Sequence, residues 1–433
     1  MNFSKRFKTV VCTLQITFLC SYTFSQENLP GSSIHQKVAQ HTNKIFDDLV
    51  TIRRDFHRYP EISGQEKRTS KKITSYLKSL GLEVKTNVGG YGVVGILKGS
   101  GNGKSIAWRA DIDAMPSDIP DVVAFQSKNQ GVRHICGHDV NTAIGLGIAN
   151  VMASQKENLK GTLYFIFQPA EETYTGAKAM IDDGLFDYID PDEIYAAHVA
   201  PLPKGMIATR PEWLFADYRS VEVSYRNSGN NEALIAYTKQ LLSDLQSVKD
   251  DSPFFDPRSQ LDPTIGLANP NTIFKDFITV QKDFHIEEND GAIHIIIRIS
   301  ASDTEGMNSI IPQLKEKINT SEYVERFIDV KLKQERANLT NDKALTLNAM
   351  KTIGTIYGQE NVVRLYGAIS DNRGDDFAYF QKQVAGVYFL LGGSNYQTGV
   401  ISTPHAPNFQ VDEECIKTGV NYFSSLILER LND

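Results

Sequence analysis

Cysteine is scarce in this 433-residue chain, with four residues in all, two of them at Cys12 and Cys20. That excludes a disulfide framework as the source of the fold. Long apolar runs are missing as well. Beyond the N-terminus, no stretch reaches the roughly 18 residues that a bilayer span needs. An excess of basic charge is also absent, since the formal net charge is −7. This argues against nucleic acid or an anionic membrane as a partner. Internal repeats and low-complexity tracts are lacking. Core material is plentiful: 41% of residues are hydrophobic, enough for two or three domains at about 150 residues each.

The N-terminus reads as a secretory signal over 1–25. Lys5, Arg6 and Lys8 precede an apolar run from Val10 to Cys20, and a cut is expected after Ser25. The mature protein is then secreted or periplasmic and free of the membrane. Leu19 is bulky where a small residue should precede a lipid-modified cysteine, so Cys20 is not read as an anchor. Removing the signal takes the charge from −7 to −10. Cys136 and Cys415 remain and are read as unpaired thiols, because the setting of Cys136 offers its sulfur to a metal.

Helical spacing is expected over Ile34–His57 and Gln65–Ser79. Short apolar runs and helices then alternate: Gly92–Leu97, Ser105–Arg109, a helix near Thr142–Ser154, Thr162–Phe167, a helix near Gly176–Asp182, and Glu193–Val199. This predicts an α/β layered domain around a largely buried sheet flanked by helices. From Ala216 the pattern changes to strand Arg219–Tyr225, helix Glu232–Val248, strands Lys275–Ile286 and Ala292–Ser300, helix Thr304–Ile318 and strand Tyr323–Gln334. That order is a βαββαβ, ferredoxin-like unit. Asp250–Asn271, rich in Pro, Asp and Asn, reads as a long loop. A helix near Asp342–Tyr357, a strand at Val387–Leu391 and a helix near Asp412–Leu431 return to the first pattern. The expected domains are therefore 30–215 and 339–433 as one α/β domain, with 216–338 inserted.

The chemistry gathers in four places: His134-Ile135-Cys136-Gly137-His138-Asp139, Glu171-Glu172 after an apolar run, His198 at the end of another, and Pro404-His405-Ala406-Pro407. Thiol, imidazoles and carboxylate are metal ligands, and a second carboxylate beside them is a base for water. Each motif alone also has a plainer reading. Cys136 and His138, two apart in an extended segment, would point the same way, but such a pair is often only packed. Glu171-Glu172 is equally at home in a solvated loop. His198 could be a hydrogen-bonded core histidine, and His405 a rigid-loop one. Asp111 or Asp113, at a strand end, could orient a metal-bound histidine, or Arg109 and Asp111 could form a structural pair.

Taken together and in order, these segments resemble the aminoacylase-like dinuclear metallopeptidases, in particular their N-acyl-amino-acid amidohydrolase branch (hippurate and indole-acetyl-amino-acid hydrolases). Arg53 to Glu61 is similar to the family's His-x-x-Pro-Glu element, and Trp108 to Pro116 to its Arg-Ala-Asp-x-Asp-Ala-x-Pro strand. Gly374-Asp375-Asp376-Phe377 is similar to its Glu-Asp-Phe segment. The resemblance implies two divalent ions, zinc or manganese, on Cys136, His138, Glu172, His198 and His405. It also implies Glu171 as general base to a metal-activated water; of the two strand-end acids, Asp113 is counted with Glu171 among the catalytic residues, as the carboxylate that orients a metal-bound histidine. It further implies a zinc-peptidase-like catalytic domain with an inserted ferredoxin-like lid.

Two departures stand out. Asn141 replaces a usual histidine that is not among the ligands. Tyr225 to Asn231 lacks the family's substrate-binding lid histidine, and the lid's Asn-x-Ile-Pro element is missing too. His285 and His294, in lid strands, read as solvent-facing. The expected activity is hydrolysis of an amide in an N-acyl-amino acid or small peptide, with a homodimer as the one protein partner suggested. The rival readings are a dipeptidase or exopeptidase on the same site, and a metal-binding family member without hydrolysis.

Overall fold

The computed structural model describes residues 33–289, 291–334, 336–370 and 373–432, to which all counts below refer. The signal expected over 1–25 lies outside them.

In chain order the elements of the first segment are α1 (Ser33–Arg58), α2 (Lys67–Ser79), β1 (Glu83–Val88), β2 (Gly92–Lys98), β3 (Gly101–Asp111), α3 (His138–Ser154), β4 (Lys160–Gln168), α4 (Gly176–Asp182), β5 (Glu193–Pro203) and β6 (Ile207–Thr209). The small unit holds β7 (Asp217–Arg226), α5 (Glu232–Ser243), β8 (Ile278–Val280), β9 (His285–Asn289), β10 (Ala292–Ala301), α6 (Thr304–Asn319) and β11 (Phe327–Gln334). The last segment adds α7 (Lys343–Tyr357), β12 (Val362–Arg364), β13 (Gly386–Ser394) and α8 (Glu414–Asn432).

Burial explains the large sheet. In β4, Leu163, Phe165 and Phe167 join one core while Ile166 joins the other. Apolar residues on both faces of one strand demand cover on both sides. Among the described residues the sheet has eight strands in the order β1-β2-β4-β3-β5-β13-β6-β12. Its centre, β4-β3-β5-β13, is parallel, so those four strands end along one edge. On one face α1, α3, α7 and α8 pack. Val38, Ile45, Leu49 and Phe56 of α1 recur at helical spacing and are buried. A β-carbon at Gly147 would lie 2.5 Å from Val420 and 2.8 Å from Leu49. Only glycine lets α1 and α8 close on α3 so tightly.

The opposite face is covered by α4, by Phe377 and Phe380, and by Phe254, Phe274 and Phe277 from the 250–277 stretch. That stretch lacks long elements, as expected, but it is built rather than slack. It holds short 3₁₀ turns at Pro253–Phe255 and Pro257–Leu261, capped by the side chains of Ser252 and Asp256. Phe254 packs over Phe274 with ring centroids 4.9 Å apart and meets Phe277 edge to face at 4.7 Å.

The small unit is a second, antiparallel sheet in the order β8-β10-β7-β11, with β9 also on β10. This is a ferredoxin-like βαββαβ unit with one difference from the sequence reading. The single strand expected over Lys275–Ile286 is two short strands, β8 and β9, that pair with successive parts of β10. Val221, Val223, Ile295, Ile297, Leu241, Met307 and Ile310 form its core under α5 and α6. The chain enters and leaves this unit beside a two-residue pairing of Thr340 and Asn341 with Trp213 and Glu212.

Candidate metal centre

The parallel strands end where the chemistry collects, the expected place for a site in an open α/β sheet. Asp111 closes β3 and Asp113 follows it. Glu171 and Glu172 follow β4 after Pro169 and Ala170, and Ala170 turns with φ 52°. His198 differs from expectation, because it lies inside β5, paired with Leu390 of β13, and the strand runs on to Pro203. The extended Cys136–His138 pair is also corrected. Gly137 has φ 102° and caps α3, and His138 is already helical. The left-handed glycine, not a strand pleat, aims both side chains one way. A β-carbon there would stand 2.3 Å from Val199, so residue 137 must be glycine. His405 sits at φ 63°, with its N–H donating to the Ile135 carbonyl at 2.8 Å.

These turns bring the seven residues singled out in the sequence to one place. Cys136, His138 and His198 offer ligand atoms within 4.8 Å of one another, as do Cys136, Glu172 and His405, and His138, Glu171 and Glu172. Cys136 Sγ is 3.3 Å from His198 Nε2. His405 Nε2 is 3.3 Å from Glu172, and His138 Nε2 is 3.6 Å from Glu171 and 3.7 Å from Glu172.

The surroundings fix which atoms face inward. His138 Nδ1–H donates to the Asp113 carbonyl at 2.9 Å and carboxylate at 3.1 Å. His198 Nδ1–H donates to the Val199 carbonyl at 2.8 Å. Both rings thus turn an Nε2 lone pair toward the cluster. His138 Nε2 and Glu172 Oε1 are buried without a hydrogen-bond partner. Such atoms are rare in folded proteins unless something else occupies the place. A soft thiolate, imidazoles and a carboxylate suit first-row divalent ions, so the residues fit the group.

Charge is distributed unevenly. Burial, then the nearby Asp375, pushes the Glu171 carboxyl well above the usual range. Burial works the same way on Glu172, yet the His405 hydrogen bond and the charge of His138 hold it below. Burial also raises the Cys136 thiol, so its ionisation requires a cation. Behind Glu171 lies a fully buried network that the motifs only hinted at. Arg109 bonds Asp111 at 2.6 Å, Asp375 at 2.9 Å, Asp376 at 3.3 Å and Gln168 at 2.8 Å. Tyr388 O–H donates to Asp375 at 2.8 Å. The structural Arg109–Asp111 pair is therefore present, and Asp113 is the carboxylate on His138.

Ser63, Glu66, Tyr174 and Tyr388 escaped the sequence reading. Ser63 O–H donates to Asp113 at 2.6 Å, and Glu66 accepts from the Gly64 and Ala170 N–H groups. A lone Ser or Tyr carries no spacing signal. Asn141 bridges Asp111 at 2.8 Å and the Val199 N–H at 3.1 Å, a structural role. At the position of the expected lid histidine, Asn227 accepts from Gly229 N–H and Asn231 to close a polar turn. His285 is exposed, and His294 bonds Ser224, Glu222 and Asn289 within the small sheet. Cys136 and Cys415 are unpaired, as expected.

A parallel-centred sheet, a ferredoxin-like insert and a buried Cys/His/Glu cluster define a metallopeptidase-type protein. Residues 107–429 match the model of peptidase family M20/M25/M40, and the chain belongs to that family. It is 30% identical to thermostable carboxypeptidase 1 of Saccharolobus solfataricus over 89% of this chain and 95% of that protein. It is 30% identical to N-acetyldiaminopimelate deacetylase of Enterococcus faecalis over 88% and 97%. In structure it is similar to the Bacillus subtilis YXEP protein, described as a dinuclear metal-binding peptidase of the M20 family. There the TM-score is 0.70 at 26% identity, with 90% of this chain and 99% of that one covered. Family membership makes the chain a hydrolase of amide bonds.

Proposed function

We propose that the protein hydrolyses the amide bond of N-acyl-amino acids or small peptides at a site for two divalent ions, zinc or manganese. Cys136, His138, Glu172, His198 and His405 would hold them. The observation that carries this reading is the pair of buried, unpartnered ligand atoms, His138 Nε2 and Glu172 Oε1, facing one another across the cluster. Bound there, the ions would supply Lewis acidity to the carbonyl and to the attacking water. The chain's own residues do the rest. Glu171, not needed as a ligand, takes a proton from the water and passes it to the leaving nitrogen. Asp113 keeps the proton of His138 on Nδ1, so Nε2 stays a donor of electrons. Arg109 offsets the acids gathered behind Glu171.

The 216–338 unit is read as an insert into a catalytic domain of 30–215 and 339–433. A secreted or periplasmic location rests on the Lys5–Cys20 leader alone. The test is the metal-loaded protein assayed against a panel of N-acyl-amino acids and dipeptides, with Glu171→Gln as control. Cleavage of the first group supports the proposal. Cleavage of dipeptides alone would make it an exopeptidase, for which the carboxypeptidase relative is the precedent. No cleavage by protein that holds its metals would make it a binding protein.

A further inference from the structure

The cluster opens into a cleft of about 700 Å³ that reaches well past the reacting groups. Cys136, Glu171, Glu172, His198 and His405 form one end. Beyond them the walls are apolar: Phe215, Leu267, Leu365, Ile369 and Leu390 line the cleft from four separate parts of the chain. Phe215, Leu267, Leu365 and Ile369 are buried against the core, so the lining is fixed.

Part of this wall is the built 250–277 stretch. Its Pro257–Leu261 turn and the Asp262 cap carry Gln260, Leu261 and Asp262 to the cleft. Leu261 is 60% exposed, although the segment beneath it is ordered by side-chain caps and an aromatic stack. A long segment that is packed yet shows a leucine to the mouth of a cleft is the kind that serves function rather than linkage. Its one carboxylate on the cleft, Asp262, is engaged with the N–H groups of Thr264 and Ile265.

On the reading of this site as an amide hydrolase, we propose that the apolar sleeve takes the acyl chain of the substrate, a hydrocarbon of about eight carbons or more, with Leu261 as a specificity-determining residue at its rim. The cleft of about 700 Å³ has far more room than an acetyl methyl fills, so a longer acyl chain has apolar wall to bury against. The chemistry decides which half of the substrate enters. The amino-acid half carries a carboxylate, for which the wall of Phe215, Leu267, Leu365, Ile369 and Leu390 has no partner, and leaving it there unpaired is costly; Arg373, the cation that also lines the cleft, directly precedes Gly374 and Asp375 beside Glu171. The acyl half carries no charge and gains from every methylene it buries.

The test uses the full, metal-loaded chain and N-acyl-glycines of increasing length. Burial of a methylene is worth about a fourfold gain. We expect kcat/KM to rise by up to that factor for each carbon that is fully buried, and by at least a hundredfold from acetyl to decanoyl. Leu261→Asp should cost at least tenfold on the decanoyl substrate, mainly in KM, and Leu261→Ala less. Because Leu261 is exposed, neither change threatens the fold. Calorimetric binding of N-decanoyl-glycine against N-acetyl-glycine to the metal-loaded Glu171→Gln variant reads the sleeve independently of turnover. Preference for the decanoyl compound, weakened tenfold by Leu261→Asp, supports the proposal. Equal binding, or a flat kcat/KM series in an active enzyme, overturns it and leaves amide hydrolysis standing. A series with acetyl held constant and the amino acid enlarged checks orientation, and gains there alone would also overturn it. Absence of hydrolysis with the binding preference intact would instead refute the function reading beneath it.

Discussion

Asp113→Asn should loosen the metal site while leaving every proposed ligand in place. Asp113 is fully buried and accepts four ways: from His138 Nδ1–H at 3.1 Å, Ser63 O–H at 2.6 Å and Glu172 N–H at 3.0 Å through its carboxylate, and from His138 again at 2.9 Å through its carbonyl. Burial works against its ionisation, but the His138 hydrogen bond and charge hold the carboxyl below its usual range. Asparagine has one side-chain acceptor where aspartate has two. If its oxygen serves Ser63 and Glu172, its NH₂ faces the His138 N–H, donor against donor. A charge-assisted hydrogen bond is worth about 1.5–3 kcal/mol. The retained backbone carbonyl keeps part of the hold on His138, so the lower half of that range applies. At about 1.4 kcal/mol per tenfold, the metal should bind roughly 10- to 40-fold more weakly. The assay is zinc titration against a competing chelator, with stoichiometry by elemental analysis. Affinity within twofold of the natural protein would refute the claim that Asp113 sets the His138 tautomer.

Glu171→Gln should keep both metals by elemental analysis but lose about 10²–10⁴ in kcat, the usual worth of a positioned base. Near-normal turnover would remove Glu171 from that role. Cys136→Ser should lower metal occupancy, since an alcohol is a far poorer anion donor than a thiolate, and full occupancy would reduce Cys136 to a packed thiol. Gly137→Ala should cost about 2–4 kcal/mol in urea unfolding, because a positive φ and a contact 2.3 Å from Val199 add strain to overpacking. Burial pushes the Glu66 carboxyl from 4.5 up to about 7. The folded state therefore holds that proton more tightly than the unfolded chain. Stability should fall as pH rises from about 4.5 to 7, by at most roughly 3 kcal/mol, and stay low above that. Urea midpoints at pH 5 and 8 check it, and Glu66→Gln should flatten the difference.

Local patterning and chemistry were legible in the chain by itself. The apolar run of β4, covered on both faces, and the helical spacing of α1, which meets a core on one face, both follow from local burial, and that rule operates residue by residue. Cys136, His138, Glu171, Glu172, His198 and His405 stood out because their residue types are ligands wherever they converge. Convergence itself was decided by tertiary structure. His198 reaches the cluster from within a strand, held there by parallel pairing of β5 with β13. His138 reaches it from a helix that begins at a left-handed glycine. The Arg109 network joins residues more than 260 positions apart. The 250–277 stretch looked like slack in sequence because caps and a Phe254–Phe274–Phe277 cluster have no period. Its role as a wall exists only once β12, β13 and Phe215 stand opposite it. Sequence spacing encodes what a segment does to its neighbours within a few residues. Where distant segments meet depends on how the two faces of the sheet are covered, and that is settled only by packing the whole chain.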